Sequence, residues 1–336
     1  MTDVLVFAPA PSLTVTVEAH PSGDEVHVHA GGQGVWQARM LRRLGVSVTM
    51  CCTLTGETGT VLRHLLDDEG VEVAAVERAG RGPTYLHDRR SGERVAVAEE
   101  QGDPLGRHEL DELCSTAIRE GIATGLVILS GPDGDDALPP DTYRRLAADL
   151  RTAGARVVVD LSGERLAAAV GGGVDVLKVS DEELQDDGLV ADASPQAVMA
   201  AMRELHARGA ETVVVTRASE PLLLLDADGF LEVTPPQLEI VDTRGAGDSL
   251  TAGITAGLVR GETVREAVTL GAAAGALNVT RHGLGTGDLE TIGRLRELVT
   301  VRTLDEPAGL DEPAGRVSPD GLAALATPAP PEEITS

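Results

Sequence analysis

The sequence predicts an α/β fold, a mainly parallel sheet with helices on both faces, plus a small β lid. Two observations carry that expectation. From Leu110 to Thr216, short apolar runs alternate with helical segments, the rhythm of a parallel sheet. Before that, several short stretches alternate polar with apolar residues, as a half-exposed sheet requires. With 336 residues and 42% hydrophobic content, the chain is long enough for one large domain.

The elements follow in order. Val4–Phe7 reads as a buried strand. Leu13, Val15 and Val17 alternate with polar residues, and Val26–His29 alternates again. Gly31-Gly32 then turns into a helix, Gln33 to Leu44, closed by Gly45. Ser47 to Thr53 is a buried strand, Gly59 to Asp68 a helix, and Val71 to Val76 a strand. Ser91-Gly92 joins a hairpin which, with Leu13 to Val17, forms the lid, about 11–30 and 83–98. Beyond Leu110 come strands 126–129, 156–159, 174–178 and 212–216, with helices 141–152 and 195–208. Ligands of such sheets bind at the carboxyl ends of the strands, where Asp160, Lys178, Thr216 and Asp242 stand. The domain is expected to span 1–302. Residues 303–336, with the repeat LDEPAG, form an acidic Pro/Ala-rich tail expected to be disordered.

Composition removes several function classes. The net charge is −26, so nucleic acid would be repelled. Aromatics are Phe7, Trp36, Tyr85, Tyr143 and Phe230 alone, too few for base stacking. Cys51, Cys52 and Cys114 have no metal spacing, and their odd number without a signal peptide points to the cytoplasm. No apolar run approaches membrane-spanning length. His27 and His29 share one strand face without a visible third ligand and are read as lid surface. Lys178 is the one lysine in the chain.

The chemistry concentrates in VDTRGAGDSLTAGITAGL, Val241 to Leu258. Leu250, Ile254 and Leu258 mark a helix starting near Asp248. Gly245, Ala246 and Gly247 therefore lie at its N-terminus, where free amides and the helix dipole favour an anion. Gly253 and Gly257 each cost about 1 kcal/mol relative to Ala, so close packing is expected there. Asp248 in the first turn serves as a cap or, beside an anion hole, as the base of phosphoryl transfer to a hydroxyl. Rossmann and Walker spacings are absent.

Asp242-Thr243-Arg244-Gly245-Ala246-Gly247-Asp248 resembles the second signature of the ribokinase-like, phosphofructokinase B (PfkB) carbohydrate kinases. Gly31-Gly32-Gln33-Gly34 resembles the first. Leu129 to Leu166 is similar to the 1-phosphofructokinase and tagatose-6-phosphate kinase branch. LKVSDEEL and ALNVTRHGLGTG fit further family segments, so the likeness spans most of 1–300. It implies an ATP-dependent kinase with Mg²⁺. Asp248 would be the base, and the Gly245, Ala246 and Gly247 amides would stabilise the transferred phosphoryl group. Glu183 would organise the metal and its waters. Lys178, Ser180, Thr216, Arg244, Asn278 and Gly283 would serve the nucleotide. Thr14, Gly31, Gly32, Gln33 and Trp36 would line the acceptor. The lid is also the candidate contact of a homodimer.

Three acceptor positions depart from the branch. Thr14, Gln33 and Trp36 stand where it has Asp, Lys and Asn. The expectation drawn from these changes is an acceptor less anionic than a fructose phosphate, or one with a flat face, unless Arg89, Arg90 or another lid cation replaces the lost charge. The alternatives are a kinase of nucleosides or other non-sugar alcohols, and a nucleotide-binding regulatory relative without sugar kinase activity.

Overall fold

The computed structural model describes residues 2–132, 138–218, 220–280, 285 and 287–304. Gly283 and the tail from 305 onward lie outside the described residues.

The chain opens with the buried strand β1 (Val4–Phe7) and leaves it for the hairpin β2 (Ser12–His20) and β3 (Gly23–Gly31). It returns through α1 (Gln33–Arg43), β4 (Val48–Thr55), α2 (Gly56–Asp68) and β5 (Glu72–Arg78). A second excursion forms β6 (Thr84–Asp88) and β7 (Val95–Glu100). Then come α3 (Arg107–Thr124), β8 (Leu126–Ser130), α4 (Pro140–Thr152), β9 (Arg156–Asp160), α5 (Gly163–Gly172) and β10 (Val174–Ser180). They are followed by α6 (Asp181–Asp186), α7 (Pro195–Arg208), β11 (Ala210–Arg217), β12 (Glu220–Asp226) and β13 (Gly229–Thr234). The last elements are α8 (Ala246–Val259), α9 (Val264–Asn278), α10 (Leu289–Arg296) and β14 (Thr300–Leu304).

The large sheet runs β14-β13-β12-β11-β10-β9-β8-β1-β4-β5. From β5 to β11 neighbouring strands are parallel. β11, β12 and β13 pair antiparallel. The central strands are apolar on both faces, as strands covered by helices on both sides must be. All eight residues of β4 are buried.

Several elements go beyond the sequence reading. The helix α5 is short and rich in Ala and Gly. The β12–β13 hairpin hides in a continuous Leu run closed by Asp226-Ala227-Asp228-Gly229. The helix α8 starts at Ala246, two residues before the expected start. Its interior glycines do mark close packing. A Cβ on Gly253 would lie 2.5 Å from Gly271 Cα, and one on Gly257 would lie 2.6 Å from Ala267 Cβ. α8 and α9 therefore meet nearly backbone to backbone.

The lid is a separate sheet, β3-β2-β6-β7. Its amphipathicity is inverted. Ser12, Thr14 and Thr16 are buried, and the register sets His27, Thr16 and His87 in one row across the sheet. The opposite face carries Val26, Val17, Asp88 and Val95 in the next row, and Val26 and Val95 are 62% and 55% exposed. Ser12, Thr14, Thr16 and His87 thus face the body of the protein, His27 on the edge strand stays exposed, and valines face outward.

Candidate active site

Parallel pairing brings Ser130, Asp160 and Lys178 level at the carboxyl ends of β8, β9 and β10. All three are buried. Beyond them lies the N-terminus of α8. Gly245 caps it with φ 71°, a left-handed conformation that glycine adopts without strain. Asp248 falls in the first turn and is only 8% exposed.

One polar network joins these elements. Lys178 Nζ donates to Asp160 Oδ1 at 3.1 Å. Gln37 Nε2, from α1, donates to Asp160 Oδ2 at 3.0 Å and to Asp248 Oδ1 at 3.4 Å. Thr251 Oγ1, one turn beyond Asp248, donates to Asp160 Oδ2 at 2.8 Å. Ser130 Oγ donates to Gln37 Oε1. Tyr143 fixes the end of β8 by donating to Ser130 O at 3.0 Å. The Asp160 carboxylate is thus held by donors from three elements, which is what makes a buried charge tolerable.

Asp248 behaves differently. Burial, and then the negative charge of Asp160, hold its carboxyl far above the usual carboxylate range; Lys178 and the Gln37 bond only partly offset this. Burial opposes charge on Lys178, but Asp160, Glu183 and Asp248 around it outweigh that and raise its pKa. The site therefore pairs a persistent ammonium with a carboxyl poised to exchange a proton.

The expected site residues fall into distinct places. Gly245, Ala246 and Gly247 open α8 directly beside Asp248. Lys178 reaches from β10 to the first turn of α8. A Cβ on Gly247 would lie 2.7 Å from Lys178 Nζ, so only glycine leaves room for the ammonium there. Glu183 and Ser180 form the capping box of α6, with Glu183 Oε2 accepting from Ser180 N and Oγ, both at 2.7 Å. Thr216 stands beside Ser180 on β11.

Asn278 is 1% exposed. It donates to Arg244 O at 2.6 Å and accepts from Gly285 N at 3.2 Å. It thereby braces the loop before α8. The Arg244 side chain is exposed, and its backbone N–H donates to Asp242 Oδ1 at 3.1 Å.

On the acceptor side, Thr14 packs against Gly31, where a Cβ would strike Thr14 Oγ1 at 2.2 Å. Gly32, with φ 105°, caps α1. Gln33 Oε1 accepts from Gly131 N at 2.8 Å and so ties α1 to the end of β8. Trp36 is half-buried, and its indole Nε1 is buried without a partner.

Gln37, Ser130 and Thr251 escaped the sequence reading, and Asp160 was noted only as a strand end. The signals were present. Gln37 interrupts the apolar face of α1 among Gly34, Val35, Ala38 and Leu41. Thr251 lies three residues after Asp248 on the same helix face.

Among the described residues, no group of three or more His, Cys, Asp or Glu is arranged to hold a metal ion. Mg²⁺ keeps several waters and binds through one or two carboxylates together with substrate phosphates. Glu183 Oε1 lies outside the capping hydrogen bonds and suits a water of such an ion. The described residues contain no helix long and apolar enough to cross a membrane.

Fold and site together define a ribokinase-like α/β protein with a glycine-capped helix N-terminus and an adjacent buried carboxyl. The chain belongs to the pfkB family of carbohydrate kinases, whose model matches residues 6–292. It is 30% identical over 298 residues to ATP-dependent 6-phosphofructokinase isozyme 2 of Escherichia coli K12, covering 84% of this chain and 94% of that one. It is 28% identical over 261 residues to 1-phosphofructokinase of Bacillus subtilis, covering 77% and 84% respectively. The crystal structure of E. coli phosphofructokinase-2 in complex with fructose-6-phosphate superposes with a TM-score of 0.76 at 27% identity, covering 89% of this chain and 99% of that one.

Proposed function

We propose that this chain is an ATP-dependent kinase that transfers the γ-phosphoryl group to a hydroxyl of a sugar or sugar phosphate. The observation that carries the reading is the buried Asp248 carboxyl in the first turn of α8, next to the Gly245, Ala246 and Gly247 amides and Lys178.

Each part has a chemical task. Asp248 takes the proton of the acceptor hydroxyl as the oxygen attacks. The amides at the mouth of α8 stabilise charge on the phosphoryl oxygens, where preorganised donors in a water-poor site act strongly. Lys178 places a fixed positive charge beneath Gly247 without donating its own proton. Bound Mg²⁺ would neutralise phosphate charge, with Glu183 holding one of its waters. Ser180 and Thr216 line the nucleotide side. Thr14, Gly31, Gly32, Gln33 and Trp36 line the acceptor side, with the Trp36 indole N–H as an unused donor. The lid excludes water when it covers the acceptor.

The outward valines of the lid are assigned to a second copy of this chain. An apolar outer face over a polar inner one gains free energy only by being covered. The E. coli relative has a tetrameric inhibited form, so that relative does self-associate.

The test is ATP turnover by the purified protein across a panel of sugars, sugar phosphates and nucleosides, with Asp248→Asn as control. Turnover confined to nucleosides, or no turnover by the wild type with any alcohol, overturns the reading.

A further inference from the structure

The chain passes between body and lid four times, and the last two passages are tied to each other. Residues 79–83 lead from β5 into β6, and 101–106 lead from β7 into α3. Asp103 joins them. Its Oδ2 accepts from Arg81 N at 2.8 Å, and its Oδ1 accepts from Arg81 Nε at 3.3 Å and Nη2 at 3.1 Å. In return Asp103 N donates to Arg81 O at 2.9 Å. Arg81 also pairs with Glu100, at the end of β7, at 2.7 Å.

Arg78, the last residue of β5, fastens this joint to the body. Its side chain is 10% exposed. Nη1 donates to Asp103 O at 2.8 Å and Nη2 to Pro104 O at 2.9 Å, while Nε lies 3.0 Å from Glu109 Oε1 in the first turn of α3. One guanidinium thus holds two carbonyls of the outgoing passage and the start of the next helix. The incoming passage is fitted just as closely. A Cβ on Gly80 would lie 2.6 Å from Asp103 Oδ2, and one on Gly82 would lie 2.0 Å from Thr58 Oγ1 and 2.9 Å from Thr55 O. Residues 79–83 therefore lie flat between Asp103 and the first turn of α2. An isolated surface ion pair is worth little, but here two arginines, two carboxylates and several backbone groups form one network, whose members support each other.

The joint reaches the strand that carries Thr14. Pro83, just before β6, accepts from Leu13 N at 3.0 Å. β6 then pairs parallel with β2, which sets Thr14 level with Tyr85. Wherever the joint stands, the start of β2 stands with it.

We infer that Arg78 and Asp103 are positioning residues of the phosphoryl transfer: they hold the two passages together as one fixed anchor and so set where the lid, with Thr14 on it, stands over the acceptor. This rests on the carbohydrate-kinase reading above. Both residues act through the lid backbone. A lid held in one place orients the acceptor and keeps water from the transferred group; a loosened one does neither.

The test compares wild type with Asp103→Ala, Arg78→Gln and Arg78→Lys, with Arg63→Gln as control. Arg63 pairs with Glu77 of β5 at 2.7 Å, so its loss breaks an ion pair beside Arg78 without touching either passage. Amide hydrogen exchange is followed in the protein without ligands, and KM is measured for ATP and for each sugar or sugar phosphate turned over. In Asp103→Ala and Arg78→Gln, exchange in β2, β6 and β7 should quicken about tenfold while β8, β9 and β10 stay as in wild type. The acceptor KM should rise by about the same factor with the KM for ATP unchanged, and a larger share of ATP should be lost to water. Arg78→Lys, which reaches one carbonyl in place of two, should fall between wild type and Arg78→Gln. The double variant should lose less than the product of the single losses, because both residues hold the same joint. Arg63→Gln should match wild type. Asp103 is half-buried, so its variant reports even if Arg78→Gln fails to fold. Exchange quickened equally in body and lid, with kcat lowered and the acceptor KM unmoved, overturns the inference and leaves a merely structural role. Unchanged lid exchange overturns it as well, with the kinase reading intact. Quickened lid exchange in variants of a wild type that phosphorylates no alcohol supports the anchor and overturns the kinase reading.

Discussion

Lys178 Nζ lies 2.7 Å from the point that a Cβ on Gly247 would occupy. The single lysine of the chain and the last glycine before Asp248 are therefore fitted to each other. Gly247→Ala should push the ammonium aside. Because the clash is with the flexible end of a side chain, and Ala favours helix over Gly, folding should survive, with Tm changed by less than about 5 °C. Displacing a positioned charge by about 1 Å costs on the order of 10²-fold in rate. Steady-state kinetics and thermal denaturation on one preparation check both halves.

Asp248→Asn keeps shape and removes the base. We expect kcat to fall by about 10²- to 10⁴-fold, with ATP affinity measured by calorimetry nearly unchanged. A loss below about tenfold would assign proton removal to another group.

The same carboxyl sets a pH dependence. Its pKa is pushed up to about 8 in the folded protein, so the ionised base becomes scarcer as pH falls below that value. kcat/KM should rise with pH through the neutral region, about tenfold per unit on its acid limb. Stability moves the other way. A raised carboxyl pKa contributes stability that is full below the unfolded value of about 3.9 and is lost as pH rises toward 8. Asp248→Asn should remove this slope, so its Tm relative to wild type should climb between pH 4 and pH 8. Parallel Tm curves for the two proteins would refute the assignment.

Gln37→Leu should damage both stability and catalysis. It strips a donor from Asp160 and Asp248 and an acceptor from Ser130, all buried. Unsatisfied buried partners cost about 1–3 kcal/mol, which urea titration resolves. Gln37 also lowers the Asp248 pKa, so the acid limb of the activity profile should shift to higher pH.

Val26→Asp with Val28→Asp places charge on the outward face of the lid. Light scattering after gel filtration should report a dimer for wild type and a monomer for the double variant, with unchanged circular dichroism. A monomeric wild type at micromolar concentration would show that the valines are not covered by a second copy.

The sequence by itself determined the architecture and one half of the site. Alternating apolar runs and helices specify a parallel sheet, because each strand needs both faces covered. The glycines and Asp248 announce a helix N-terminus, because that chemistry is local and contiguous in the chain. Short or uniformly apolar elements stayed hidden, as the ten-residue α5 and the Leu run of the β12–β13 hairpin show.

What only the tertiary structure decided is which distant residues share one buried space. Gln37, Ser130, Asp160, Lys178, Asp248 and Thr251 come from five elements, and apart from Asp248 and Thr251 on α8 no spacing rule links them. Their juxtaposition follows from strand register and from the close approach of α8, which set the low-dielectric surroundings and the neighbouring charges that shift Asp248. The lid shows the same division. Its alternation was visible in the chain, but not which face turned inward. Packing against the body buried the polar face, and that set Tyr85 against His87 with Arg94 over the Tyr85 ring, an arrangement that depends on distance in space and not on separation along the chain.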